Sequence, residues 1–257
     1  MLGAAAAAGA QVAPNRSVLY LHPTDVADAR AIWVNPAGLA ITREASVHVD
    51  LAVGSPGSRG RLRQITAGFN SSGLAFGYQR DLFGGGVTGT TFRFGLAGGS
   101  GGLTAGFATA VYRGGTHAMG WDLGLTYLAR PQLTFGAVFA NIGEPVVRGF
   151  KQPFTFEPAV TWRLGARAAI SAHGRLEAGG QGGYAAGVRW GGPTHAPWGW
   201  LARVDTDRHL RRAGFAFGIS LGARDAVGLV ATTPGDVSSV NEADLYGLTT
   251  RAPRPRH

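Results

Sequence analysis

Few side chains in this sequence have the type and spacing to do chemistry. His48 and Asp50 stand two residues apart, and Asp205, Asp207 and His209 follow one another at the same interval. A histidine beside a carboxylate is the minimum of a general acid–base pair, and two carboxylates with an imidazole could ligate a cation. On a strand, a spacing of two puts His48 and Asp50 on one face, where with no nucleophile to serve such a pair belongs to a hydrated polar network. Asp205, Asp207 and His209 sit among Arg203, Arg208, Arg211 and Arg212, whose charge opposes a cation. Gly84–Gly86 and Gly98–Gly102 have the glycine content of phosphate loops, but neither has a Gly-x-x-x-x-Gly-Lys pattern or a strand-to-helix context. Both read as hairpin turns, and the chain reads as a non-enzyme with no metal site and no cofactor.

The most specific local signal in the chain is Trp33-Val-Asn35-Pro36-Ala-Gly38-Leu-Ala40. The clash with the ring of Pro36 pushes Asn35 out of the helical region, and Gly38 permits a positive φ, so a sharp turn is expected here. Upstream, Asp25–Ile32 reads as a short helix with an Asp near its start. From Ala45 onward the pattern changes to alternation in segments of about ten residues. Val47, Val49, Leu51 and Val53 oppose Ser46, His48 and Asp50, and the rhythm recurs at Phe92/Phe94/Leu96, Trp121/Leu123/Leu125, Trp198/Trp200/Ala202 and Phe215/Phe217/Ile219. One face carries the large apolar side chains. The other carries Gly, Ala, Thr and Ser with isolated charges: His48, Asp50, Arg93, Asp122, Arg163, Arg167, Arg189 and Arg203.

Alternation alone also fits a soluble sandwich, whose polar face would be dense in Lys and Glu. This chain is only 15% charged and contains 42 Gly, and its single lysine is Lys151. That composition suits an all-β transmembrane antiparallel barrel, apolar toward lipid and small or polar toward the lumen. Tyr78, Tyr112, Trp121, Tyr127, Trp190 and Trp198 are expected as interfacial aromatics. A net charge of +9 is spread along the strands with no basic block in the body, which argues against nucleic acid as a partner. There is no cysteine, so disulfides and thiolate metal sites are excluded.

The expected organisation is residues 1–10 as the remnant of a secretory signal, 11–44 as a lumenal plug, 45–250 as the barrel and 251–257 as a basic tail or linker. About fourteen strands are counted. Twelve result if the runs at Gly174–Gly182 and Gly183–Gly191 form one interrupted hairpin.

The stretch Asp28–Ala40, with its Trp33-Val-Asn35-Pro36-Ala37-Gly38, resembles the N-terminal signature of the outer-membrane superfamily of FadL-type fatty acid transporters and PorV/PorQ-type proteins. Phe139-Ala-Asn141-Ile-Gly143 is similar to a strand ending of the PorV-like members. The resemblance implies fourteen strands, a bacterial-type outer-membrane location, and an N-terminal hatch in the lumen turning at Trp33, Asn35, Pro36 and Gly38. For the transporter branch it implies passage of hydrophobic molecules. The short connections here depart from the extended loops of that branch. Two functions are expected in consequence: a barrel passing small hydrophobic or amphiphilic solutes, or a non-transporting barrel that anchors another secreted protein or a downstream domain. Membrane lipid is the expected partner of either.

Overall fold

The computed structural model describes residues 15–54, 61–82, 88–114, 118–147, 149–180, 182–191, 197–234, 240 and 242–252. The sequence-based expectations for the signal remnant at 1–10, for Gly84–Gly86 and for the tail beyond residue 252 lie outside the described residues. Among the described residues, sixteen strands follow a short N-terminal segment: β1 Ala45–Gly54, β2 Leu62–Ser71, β3 Leu74–Leu82, β4 Thr88–Ser100, β5 Leu103–Arg113, β6 Ala118–Arg130, β7 Leu133–Ile142, β8 Val146–Val147, β9 Phe150–Lys151, β10 Thr155–Leu164, β11 Ala168–Glu177, β12 Gly182–Gly191, β13 Trp198–Asp207, β14 Arg212–Leu221, β15 Asp225–Pro234 and β16 Glu242–Arg251. Fourteen of them close an antiparallel barrel, in which β1 pairs with both β2 and β16. The other two, β8 and β9, form a small hairpin of their own in the connection from β7 to β10.

The alternation read from the sequence is the wall itself. In β1, Val47 and Val49 point outward and are exposed, while Ser46, His48 and Asp50 point inward and are buried. Exposed Phe76, Leu96, Phe107, Trp121, Trp162, Trp198, Phe217 and Leu229 continue the outer face around the barrel. An apolar belt encircling a wall whose interior is polar is stable only against lipid, and closing the sheet leaves no backbone edge unpaired there. The runs around Gly174–Gly191 form two full strands, β11 and β12, in register from Ala168↔Trp190 to Leu176↔Gly182. Among the described residues, two turns at the end of the barrel where β1 begins and β16 finishes are tight. Ser72–Gly73 and Gly101–Gly102 join their strands directly, and Ser72 and Gly73 carry φ of 52° and 102°, the left-handed pair that a two-residue hairpin needs.

Inside lies the segment from Asn15 to Glu44, with a 3-10 turn at Arg16–Val18, helix α1 at Ala31–Val34 and a second 3-10 turn at Pro36–Ala40. The expected helix over Asp25–Ile32 is confined to α1. Asp28 takes the backbone N–H and the guanidinium of Arg30, a local bond that competes with helix formation over the preceding residues. Asn35 is extended, with φ −153° and ψ 106°, as a residue before proline should be. Gly38 departs from expectation, because it sits within the 3-10 turn and not at positive φ. Its missing side chain serves close approach instead. A Cβ there would overlap the Val26 carbonyl oxygen and stand 2.8 Å from Ala31 Cβ. The cores lie between this plug and the wall. Val26, Ala31, Ile32 and Leu39 pack on Ala75 and Ala108, and Tyr20 packs on Ala216, Val230, Tyr246 and Leu248.

Tyr112 also differs from the sequence reading. It shares the inward parity of Gly106 and Ala110 on β5 and is buried in the lumen beside Val147, not placed in an interfacial girdle.

Candidate functional site

The plug is seated through a belt of glycines and a ring of polar latches. Gly68, Gly77, Gly95, Gly106, Gly124 and Gly136 occupy inward positions on six successive strands, β2 to β7. A Cβ would meet the plug at each: Ala29 O at 3.3 Å from Gly68, Trp33 Cζ2 at 2.7 Å from Gly77, Leu39 Cδ1 at 2.9 Å from Gly95 and Thr24 Cγ2 at 2.6 Å from Gly136. At Gly106 the Pro36 backbone is closer still. Only glycine lets a wall and a second backbone come this near.

The latches then fix the orientation. Asn35 caps the second 3-10 turn by accepting from the Ala37 N–H at 3.1 Å, while its Nδ2 donates to Pro23 O at 2.9 Å and Thr126 Oγ1 at 3.1 Å. The Asn70 amide of β2 donates to Leu39 O at 3.1 Å, and the Ala29 N–H donates to Ser46 Oγ at 2.8 Å. Asp25 receives both ends of the Arg189 guanidinium, at 2.7 and 2.8 Å. Arg203 donates to Leu21 O at 2.8 Å and pairs with Asp205. Thr24 and Thr161 share a hydrogen bond of 2.8 Å, and His22 and His173 meet Nδ1 to Nδ1 at 2.9 Å.

Of the residues picked out from the sequence, Trp33, Asn35, Pro36 and Gly38 all sit in the plug against the wall. Arg93 and Asp122 form an ion pair of 2.5 Å across β4 and β6, and Arg93 Nη1 also donates to Ile32 O at 3.0 Å. Arg163 faces inward and bonds Thr134 Oγ1 at 2.7 Å. Arg189 and Arg203 hold the plug, as described above. Arg167 does not line the lumen: it lies exposed in the turn from β10 to β11, because β10 ends at Leu164. His48 and Asp50 are fully buried side by side with Nε2 3.8 Å from Oδ2, beyond hydrogen-bond length. Asp207 caps its own hairpin by accepting from the amides of His209 and Arg211.

Tyr20, His22, Thr24 and His173 escaped the sequence reading, and Asp25, read there only as a helix start, instead holds Arg189. The signal that could have found their wall partners is the parity of the glycines: small inward residues on consecutive strands need a filler, and the segment upstream of β1 supplies it.

Between the plug and the loop-bearing end lies a cavity of about 660 Å³. Its floor is the apolar face of the plug, with Val18, Leu21, Trp33 and Val34 among its residues, and its wall carries Arg93, Asp122, Glu157, Arg175 and Arg203. A second cavity of about 570 Å³ adjoins it and shares Leu19, His173, Arg175, Glu177 and Arg203. At the mouth, the loop leaving β7 is held by Asn141. This residue sits at φ 56°, donates its backbone N–H to Asp122 Oδ1 at 2.9 Å and its Nδ2 to Pro153 O at 3.1 Å. The same loop is closed by Lys151 bonding Glu144 at 2.5 Å, and that hydrogen bond, reinforced by the Phe154 N–H, holds the Glu144 carboxyl below its ordinary pKa.

Fold and site together define a transmembrane β-barrel whose lumen is filled by its own N-terminal segment. No protein-family model and no curated protein matches the chain. Solved structures do. The Ralstonia pickettii toluene transporter TbuX is similar with a TM-score of 0.59 at 13% identity, over 91% of this chain and 96% of that one. The CymD monoaromatic hydrocarbon channel is similar with a TM-score of 0.57 at 11% identity, over 90% and 94%. A Pseudomonas aeruginosa FadL homologue has a TM-score of 0.55 at 10% identity, over 89% and 94%. At these identities the likeness establishes the fold alone, a closed antiparallel transmembrane barrel, which is the architecture implied by the resemblance read at Asp28–Ala40.

Proposed function

We propose that this barrel admits small hydrophobic or amphiphilic solutes to the cavity above its plug and passes them across the outer membrane. The observation that carries this reading is the cavity's composition, an apolar floor of plug side chains beneath a charged wall. A small-molecule site joins apolar surface to polar groups that fix orientation; here the polar and charged lining residues outnumber the apolar ones, which suits an amphiphilic solute lying on the plug. The hydrocarbon cargo named for TbuX and CymD supports the same class of solute. Membrane lipid is the barrel's constant partner, through the outer apolar belt. The test is uptake of a hydrophobic dye such as N-phenyl-1-naphthylamine by cells displaying equal amounts of the wild-type barrel and of a Leu21→Trp variant that fills the floor. Several-fold faster entry through the wild type is expected. Equal rates would refute transport.

A second reading, a non-transporting barrel that anchors another secreted protein or domain, draws on the glycine belt, which interlocks plug and wall along six strands. Equal dye uptake combined with co-purification of a stable partner would favour it.

A further inference from the structure

One corner of the cavity contains hydrogen-bond donors with nothing to donate to. Trp33 Nε1, Arg93 Nε and Thr91 Oγ1 are buried and without partner, and the three residues line the same cavity, Trp33 from its floor and Arg93 and Thr91 from its wall. Register brings them together. Gly77 of β3 pairs with Arg93 of β4, and Gln79 pairs with Thr91 two residues along the same inward face. The indole of Trp33 lies over Gly77, where a Cβ would stand 3.1 Å from Cε2, the ring carbon bonded to Nε1. The Arg93 guanidinium centre is 5.2 Å from the Trp33 ring centroid. An indole N–H and a guanidinium N–H can only donate, so neither can satisfy the other. Leaving such groups buried and unpaired is costly. The missing element is an acceptor.

The surrounding charges decide what kind of acceptor fits. Arg93 is already neutralised by Asp122, Arg175 by Glu177, Arg203 by Asp205 and Lys151 by Glu144. Glu157 adds a further carboxylate to the same cavity. A ligand carboxylate would therefore gain donors but no uncompensated positive charge, and would face acidic neighbours. We propose that Trp33, Arg93 and Thr91 form a subsite for a neutral oxygen acceptor, the carbonyl of a compact aryl ketone, aldehyde or ester whose apolar body lies on the plug. This rests on the reading of the cavity as a small-hydrophobe site, and sharpens it from bare hydrocarbon to hydrocarbon bearing one carbonyl.

The test uses the full chain folded in detergent, with ethylbenzene, acetophenone and benzoate as matched probes measured by calorimetric titration. Acetophenone is expected to bind about tenfold more tightly than ethylbenzene, the equivalent of one well-made hydrogen bond in a dry site. Trp33→Phe, which keeps a ring but removes the N–H, should abolish most of that advantage, read as the ratio of acetophenone to ethylbenzene affinity within the same variant. Thr91→Val should reduce the advantage partially, and heat-modifiable gel migration shows whether each variant is folded. Ethylbenzene binding with no preference for acetophenone overturns the subsite and leaves the transport reading intact. A preference that survives both substitutions overturns it as well, and tighter binding of benzoate than of acetophenone replaces it with an anion site. If none of the three probes binds, subsite and transport reading fall together.

Discussion

Asn35 of the plug and Gly124 of β6 approach so closely that a Cβ on Gly124 would overlap Asn35 Oδ1, the atom that caps the turn by accepting from Ala37. Gly124 is thus occupied by another residue's hydrogen-bonding group. Gly124→Ala should force the turn off the wall, at a cost of about 1–3 kcal/mol as for other overpacked sites. The barrel's own strand pairs are untouched, so heat-modifiable migration should persist while single-channel recordings in planar bilayers show more frequent or larger openings. Gly247→Ala is the control, since a Cβ there meets nothing within 4 Å. Identical recordings for both variants would mean that the plug does not depend on this contact.

Asp25 and Arg189 make the latch most amenable to a coupling measurement, because the guanidinium bonds the carboxylate through two nitrogens at 2.7 and 2.8 Å. Hydrogen bonds to charged partners contribute about 1.5–3 kcal/mol, and Arg189 is partly open to solvent, which places this pair toward the lower figure. Asp25→Asn and Arg189→Gln should each raise open probability. The double variant should raise it by less than the sum of the two, as expected for residues acting through one contact. Full additivity would show that the two side chains act independently.

The fold was legible in the sequence wherever a single strand carries its own signal. Val47 and Val49 against His48 and Asp50 state the two faces of β1, and the same rule places Arg93, Asp122, Arg189 and Arg203 inward. Arg167 was misplaced because parity holds only while the strand lasts, and β10 stops at Leu164 before a turn. Tyr112 was misplaced because an aromatic near a strand end suggests a girdle, whereas its parity with Gly106 and Ala110 puts it inside. The plug's latches were beyond reach for a different reason. His22 meets a partner 151 positions away and Asp25 one 164 away, and only barrel closure sets those distances.

Gly38 separates two explanations of the turn's chemistry. The sequence suggested that glycine is needed for a left-handed backbone, and the structure shows it inside a 3-10 turn whose backbone any L-residue can adopt. The obstacle to a side chain is the Val26 carbonyl oxygen, which belongs to the backbone and cannot rotate away. Gly38→Ala should therefore be destabilising by about 1–3 kcal/mol. Asn at this position, which tolerates left-handed backbone better than Ala, should be no better than Ala and worse if size alone matters. Rescue by Asn in a urea-gradient gel of the refolded barrel would restore the backbone explanation.

Glu144 and Lys151 give the loop over the cavity a dependence on pH with a defined sign. The hydrogen bond from Lys151, with that from the Phe154 N–H, depresses the Glu144 pKa in the folded protein. A depressed carboxylate contributes stability that is present above its unfolded-state pKa and is lost as pH falls through the folded value. Acidification from neutral should therefore loosen this loop while leaving the barrel wall intact. The readout is amide hydrogen exchange at Gln152, whose N–H bonds Pro145 O at 2.9 Å across the same loop. Protection at Gln152 should decrease on passing below the ordinary carboxylate range. In Lys151→Met the Glu144 titration, followed by carboxyl NMR shift, should move back up and the decrease should begin at higher pH. If the titration of Glu144 is the same with and without Lys151, the ion pair is not what closes the loop, and the Asn141–Pro153 bond is left as its principal fastening.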